Sequence, residues 1–140
     1  NNVIPKCASL SGTIRYYSDK IGALAKKRFF EVVHSTCDAF GAKVDINFQK
    51  GYPATINHKK QSEFAYDSAK KIVGNKASSS QAPMMGSEDF SYFLKKVPGC
   101  FAWIGNGPSA SLHNPKYDFN DSVLSIGSSF LASIAEDRLS

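Results

Sequence analysis

The 140-residue sequence predicts an α/β protein. Two short segments alternate apolar and polar residues, the pattern of a half-buried strand. A third is a brief continuous apolar run, the pattern of a strand buried on both faces. Between them lie longer stretches with apolar residues every three or four positions, bounded by capping residues, which predict helices.

The first strand is expected over 7–15. Ala8, Leu10, Gly12 and Ile14 face one way, and Ser9, Ser11, Thr13 and Arg15 the other. Ser18 or Asp19 is placed to cap a helix with the stripe Ile21, Leu24, Ala25, Phe29, Val32, Val33, Cys37 and Phe40. Gly41 is placed to end it in the left-handed conformation. A second strand follows with Val44, Ile46 and Phe48 inward, stopped by Gly51-Tyr52-Pro53. Strand, helix and strand make half of a small α/β sandwich, which is marginal alone. Residues 1–55 form this first segment.

Residues 56–140 form the second. A helix is expected over 59–73, with Phe64, Ala65, Ala69, Ile72 and Val73 inward and Gly74 at its end. A polar, serine-rich loop covers 75–81. Ser87 is placed to cap a helix over 88–96, with Glu88 and Asp89 in the first turn, where the helix dipole favours carboxylates. Val97-Pro98-Gly99 breaks it. Residues 100–105 are the buried apolar strand, and a last helix runs over 121–139.

Composition narrows the class. No apolar run approaches the roughly 20 residues that cross a bilayer, and no secretory leader is visible. No membrane association is expected. The chain opens on Asn1-Asn2-Val3-Ile4-Pro5 without Met, which suggests a trimmed or excised segment. Cys7, Cys37 and Cys100 form no disulfide framework and no Cys-x-x-Cys clip. They read as buried small hydrophobes in a reducing, cytoplasmic compartment. Residues 1–76 carry 13 Lys/Arg and 6 Asp/Glu, a net +7, and residues 77–140 carry 4 and 6, a net −2. A basic half admits a nucleic-acid partner. Lys26-Lys27-Arg28, Lys59-Lys60 and Lys70-Lys71 lie mostly on polar helix faces, however, with no nucleic-acid motif beside them. They read as solvated surface, and no nucleic-acid partner is expected.

Two loops carry polar groups beside buried elements, at 86–89 and 105–120, where α/β proteins place their sites. His113 follows Gly105-Asn106-Gly107-Pro108 at a loop-to-helix junction near several carboxylates. That placement suits a metal ligand, a catalytic base or a structural histidine. Glu88 and Asp89 suit either a pocket or the start of a helix. Asp118, Asn120 and Asp121 suit caps and loop hydrogen bonds, and His34 and His58 read as structural.

Five ordered blocks then carry a resemblance. They are Asn2-Val3-Ile4-Pro5; Gly12-Thr13-Ile14-Arg15; Gly51-Tyr52-Pro53; Met85-Gly86-Ser87-Glu88-Asp89-Phe90; and Leu112-His113-Asn114-Pro115 with Asp118-Phe119-Asn120-Asp121. Together they resemble the C-terminal part of the metal-dependent amidohydrolases related to hippurate hydrolase, the N-acyl-amino-acid aminoacylases and the zinc carboxypeptidases.

The resemblance implies a catalytic α/β domain holding two divalent metal ions (zinc, or manganese or cobalt) and an inserted α/β lid that makes homodimers. Residues 1–55 then correspond to the second half of the lid, and 56–140 to the C-terminal segment of the dizinc-peptidase-like catalytic domain. His113 matches the last metal ligand. Asn2 and Arg15 match lid groups that grip the substrate carboxylate, which a guanidinium holds bidentately. Gly86, Ser87 and Asp89 match the pocket loop, and Glu88 is carried over only as a residue of that loop. The implied reaction is metal-assisted hydrolysis of N-acyl amino acids.

The other implied ligands, a Cys-x-His segment, a Glu-Glu pair and a further His, have no counterpart in this sequence. The general-base Glu is missing with them, so no catalytic residue is assigned. The chain is expected to be inactive alone and to bind little or no metal. The alternative is a non-catalytic module, derived from lid and scaffold, that works by self-association.

Overall fold

A computed structural model describes residues 2–139. The chain divides into two compact units: residues 2–54 with Met85–Ser87, and Thr55–Met84 with residues 88–139.

The first unit is built on α1 (Asp19–Ala39). Ser18 Oγ accepts the Ile21 N–H at 3.3 Å, which satisfies one of the orphan donors of the first turn. At the other end Gly41 takes φ +64°. Its N–H donates to the Asp38 carbonyl, and Ala42 N–H to that of Cys37, the paired closure of a glycine-ended helix. Gly22 lets Tyr16 lie against the helix, because a Cβ there would stand 2.6 Å from the ring. Phe48 packs on the same helix, with ring centroids 6.0 Å from Phe29 and 5.8 Å from Phe30. Lys26 Nζ sits 5.0 Å from the Phe48 ring centre, within cation–π range.

The second unit pairs α2 (Lys59–Val73) with α4 (Leu124–Leu139). Gly74, at φ +57°, ends α2. Buried Ser68 donates to Asp137 Oδ2 at 3.1 Å, and Lys71 reaches Oδ1 at 2.6 Å. The Lys71 hydrogen bond is the largest influence on the Asp137 carboxyl and holds it below its ordinary range, against some desolvation. Arg138 lies 4.7 Å from the Phe64 ring centre. The expected helix over 121–139 begins as a 3₁₀ turn at Asp121–Val123, where Asn120 Oδ1 accepts the Ser122 N–H.

Three expectations need correction. The helix expected over 88–96 shrinks to α3 (Ser91–Leu94); the Ser87 hydroxyl accepts from Arg15, and Glu88 Oε1 takes the Phe90 N–H. The expected strands are absent among the described residues. A strand satisfies its backbone only through a neighbour, and 7–15, 44–48 and 100–105 find none here. Leu10 is 98% exposed and Trp103 60%, so the run 100–105 is not buried on both faces. Cys7 is exposed, and Cys37 and Cys100 are only half-buried, so the cysteines are not core residues.

Asn57 partly replaces a strand neighbour. Its Oδ1 accepts the Phe101 N–H and its Nδ2 donates to the Phe101 carbonyl, each at 2.8 Å. His58 extends the pairing. Its N–H donates to the Gly99 carbonyl and its Nδ1 accepts the Gly99 N–H, both at 3.1 Å.

Apolar burial is sparse. Among the described residues only Ala65 and Leu94 are buried hydrophobics. The accessible surface is 11995 Å². A folded chain of this length exposes roughly 7,000 Å², and two separately compact pieces about 8,500 Å². The helix α4 shows where the excess lies. Phe130 and Ile134 are half-buried, while Leu124 and Leu131 stand exposed, Leu131 at 67%.

Candidate functional site

The first unit holds Asn2, Arg15, Gly86 and Ser87. Asn2 is exposed in irregular chain ahead of the 7–15 segment. Arg15 lies just before Tyr16, whose ring packs on Gly22. Its Nη1 donates to Ser87 Oγ at 2.7 Å and to the Met85 carbonyl at 2.9 Å. Residues 70 and 72 positions apart are thereby clasped together. Gly86 lies between the two acceptors with open space around its Cα, so its backbone is approachable. A guanidinium carries five N–H donors, and the clasp uses only the Nη1 edge. The arrangement offers a fixed positive charge and a glycine backbone in one place, which suits an anionic group.

The second unit holds Glu88, Asp89 and His113. Glu88 is half-buried, and its Oε1 accepts the Phe90 N–H at 3.2 Å. Its carbonyl takes the Ser91 N–H, and that of Asp89 takes the Tyr92 N–H. In this chain, therefore, both residues support the entry to α3. Asp89 itself is exposed.

His113 is the only described non-glycine residue with positive φ, at +67°. Histidine enters this region more readily than most side chains, at a cost of roughly 1 kcal/mol. A turn closed by Asn114 N–H to the Ser111 carbonyl fixes it on one side. On the other, Asn114 Oδ1 accepts the Lys116 N–H at 2.9 Å.

The ends of the loop are locked by side chains. Asn106 Nδ2 donates to the Asp118 carbonyl and its Oδ1 accepts the Asn120 N–H, each at 2.8 Å. Ser109 Oγ adds two bonds to the backbone of Asp118, at 3.0 and 3.1 Å. Gly107 turns the chain at φ +78°. The result is an exposed histidine on a pinned loop. A shallow depression of about 360 Å³ beside the loop is lined in part by Lys116, Asp118 and Asp121 and does not include His113.

Among the described residues, no group of three or more His, Cys, Asp and Glu side chains is placed to hold a metal ion. A catalytic divalent ion takes three protein ligands and an open position, and one imidazole does not supply them.

Sequence reading took Ser87 for a helix cap and did not foresee the Arg15–Ser87 clasp or the Asn106 lock. The spacing of 72 residues hides the first. The Asn-Gly and Asn-Asp pairs at 106–107 and 120–121 are the only local sign of the second.

Residues 4–137 match the family described as Peptidase family M20/M25/M40, and the chain belongs to it. It is 32% identical over 139 residues to the "Putative amidohydrolase YhaA" of Bacillus subtilis, covering 96% of this chain and 35% of that protein. It is 34% identical over 143 residues to the "IAA-amino acid hydrolase ILR1-like 4" of Arabidopsis thaliana, covering 96% of this chain and 32% of that one. Against the "Hippurate hydrolase" of Campylobacter jejuni, identity is 28% over 135 residues, with 96% and 35% covered. The chain thus spans about a third of the length of the curated relatives it matches. No solved structure matches it significantly. No helix of the described chain is long and apolar enough to cross a membrane.

Proposed function

We propose that this chain is the C-terminal portion of a metal-dependent amidohydrolase that cleaves the amide bond of N-acyl amino acids. On this reading the first unit is the second half of a lid that also forms a homodimer, and the second unit belongs to an α/β catalytic domain. Asn2, Arg15, Gly86 and Ser87 receive the substrate carboxylate, with Glu88 and Asp89 continuing the pocket loop. His113 contributes one imidazole to a site for two divalent ions, which supply Lewis-acid activation of water and amide when bound. The remaining donors, and the base that takes the proton from water, come from polypeptide outside this chain. The chain alone is inactive.

One observation carries the reading: the family match runs through almost the whole chain yet covers only a third of its relatives. The exposed apolar surface supports it. Leu124, Leu131, Trp103 and Ile104 are side chains of an interior without an interior around them. The experiment is to read the gene upstream of the Asn1 codon. An open frame encoding a Cys-x-His segment and a Glu-Glu pair is the expected result, and a start codon immediately upstream of the Asn1 codon overturns it.

The same surface also motivates a second reading, a self-associating module without catalysis. Strand-like segments with unpaired edges favour pairing between chains. A start codon immediately upstream of the Asn1 codon together with a stable, inactive oligomer would establish that reading instead.

A further inference from the structure

We infer that Ser87 is a positioning residue for Arg15: its hydroxyl and the Met85 carbonyl hold one edge of the guanidinium, which fixes how Arg15 meets the carboxylate of a substrate. The inference rests on the carboxylate site proposed above and adds to the place of Ser87 in that site a role exerted through Arg15.

The fold departs from a local rule at Ser87. Serine followed by Glu88 and Asp89 is a start signal for a helix, a capping hydroxyl with carboxylates in the first turn. Capping by Ser87 would let the helix begin at 88. Instead α3 begins at Ser91 and lasts one turn. Ser87 Oγ accepts from Arg15 Nη1 at 2.7 Å, the shorter of the two bonds in the clasp. A cap is worth about 1 kcal/mol. The fold gives the Ser87 hydroxyl to Arg15 instead of to a cap, a departure of the kind expected at functional sites.

The geometry then says what the bond does. Arginine has four side-chain torsions and is costly to hold still. A single acceptor would let the guanidinium plane pivot about one N–H. Two acceptors on Nη1, from residues on either side of Gly86, fix both its position and its plane. A bidentate grip on a carboxylate depends on that plane, and misplacing a binding group by about 1 Å weakens what it holds. Met85 acts through its carbonyl, so side-chain substitution there leaves the bond in place. Ser87 is the position at which the hold can be removed.

The test uses the ¹⁵N-labelled 140-residue chain, with far-UV circular dichroism confirming equal helix content in each variant. The Arg15 side-chain nitrogens are followed by NMR during titration with hippurate, and with its uncharged amide as control. Wild type should show slowed rotation at Nη1 and respond to hippurate but not to the amide. Ser87→Ala should release the rotation and weaken the hippurate response about fivefold to tenfold. Ser87→Thr, which keeps the hydroxyl, should stay within about twofold of wild type. Arg15→Ala, followed through the backbone amides of 84–88 in the same titrations, should abolish the shifts that hippurate causes there in wild type. If Ser87→Ala responds like wild type while Arg15→Ala does not respond, the positioning role is overturned and the carboxylate site stands. If wild type itself is silent to hippurate, the carboxylate site falls and the positioning role falls with it.

Discussion

The two loops that carry the candidate site residues are held in opposite ways. The His113 loop is pinned by its own residues, with Asn106, Ser109, Asp118 and Asn120 bonding across separations of 9 to 14 positions. The 85–87 segment is pinned by Arg15, from 70 and 72 positions away. A locally closed loop keeps its shape wherever its own sequence is present. A loop closed at long range depends on a distant element also being in place, since ordering both ends has an entropic cost. The histidine is therefore preformed in this chain, while the carboxylate grip is conditional on the first unit.

The largest expected effect concerns the function of the preformed loop. His113→Gly should lower hydrolysis by an assembled enzyme at least about a thousandfold, several kcal/mol of metal-assisted catalysis. It should leave the stability of the chain unchanged or up to about 1 kcal/mol higher, because glycine accepts φ +67° without strain. Denaturant unfolding beside a rate assay separates the two. A large loss of stability would mean that the loop depends on the imidazole and is not self-pinned.

Next in size is Asn106→Ala, which removes two side-chain bonds worth about 1 kcal/mol each. Amide exchange over 109–120 should quicken roughly thirtyfold, with α1 unaffected. Exchange that stays slow would show that the turns around His113 suffice without Asn106.

Arg15→Met removes the long-range clasp. The bonds are exposed, so screening limits their worth to roughly 1 kcal/mol. Limited proteolysis across 84–88 should quicken up to about tenfold, while the His113 loop keeps its exchange pattern. Parallel loosening of both loops would erase the contrast between them.

The smallest effect is a control on the scaffold. The Asp137 carboxyl titrates below its ordinary 3.8 in the folded chain. A lowered folded value means stability that is complete above the unfolded value and is lost as pH falls through the folded one. Contact between α2 and α4 should therefore weaken only below about pH 4. Asp137→Asn should flatten that acid limb, as helix signal against pH would register.

Legibility in the sequence follows the same division between local and distant partners. The caps of α1 and α2 were readable because Ser18, Gly41 and Gly74 act on residues within one turn. Of the stripe expected on α1, Phe29 meets Phe48, while Ile21, Leu24, Val32 and Phe40 stand exposed, because periodicity marks an apolar face without supplying what covers it. The strands were readable as patterns, yet the described chain forms none, since the ladder partners of 7–15 and 100–105 are not supplied by its own residues. The helix at 88 was misread because a capping serine says nothing about an arginine 72 positions away. His113 could be singled out from its glycine-rich context, but its left-handed backbone could not.

The central claim is that this chain holds one corner of a hydrolytic site and requires further polypeptide to complete it. The most direct measurement is hydrolysis of hippurate, with zinc, manganese or cobalt supplied. It should be made on the purified chain and on the chain co-expressed with the N-terminal two-thirds of a family member. The account predicts no hydrolysis above the metal-only background from the chain alone, and metal-dependent hydrolysis from the assembled pair. Metal-dependent turnover by the purified chain, or a stable assembled pair that fails to turn over, would contradict it.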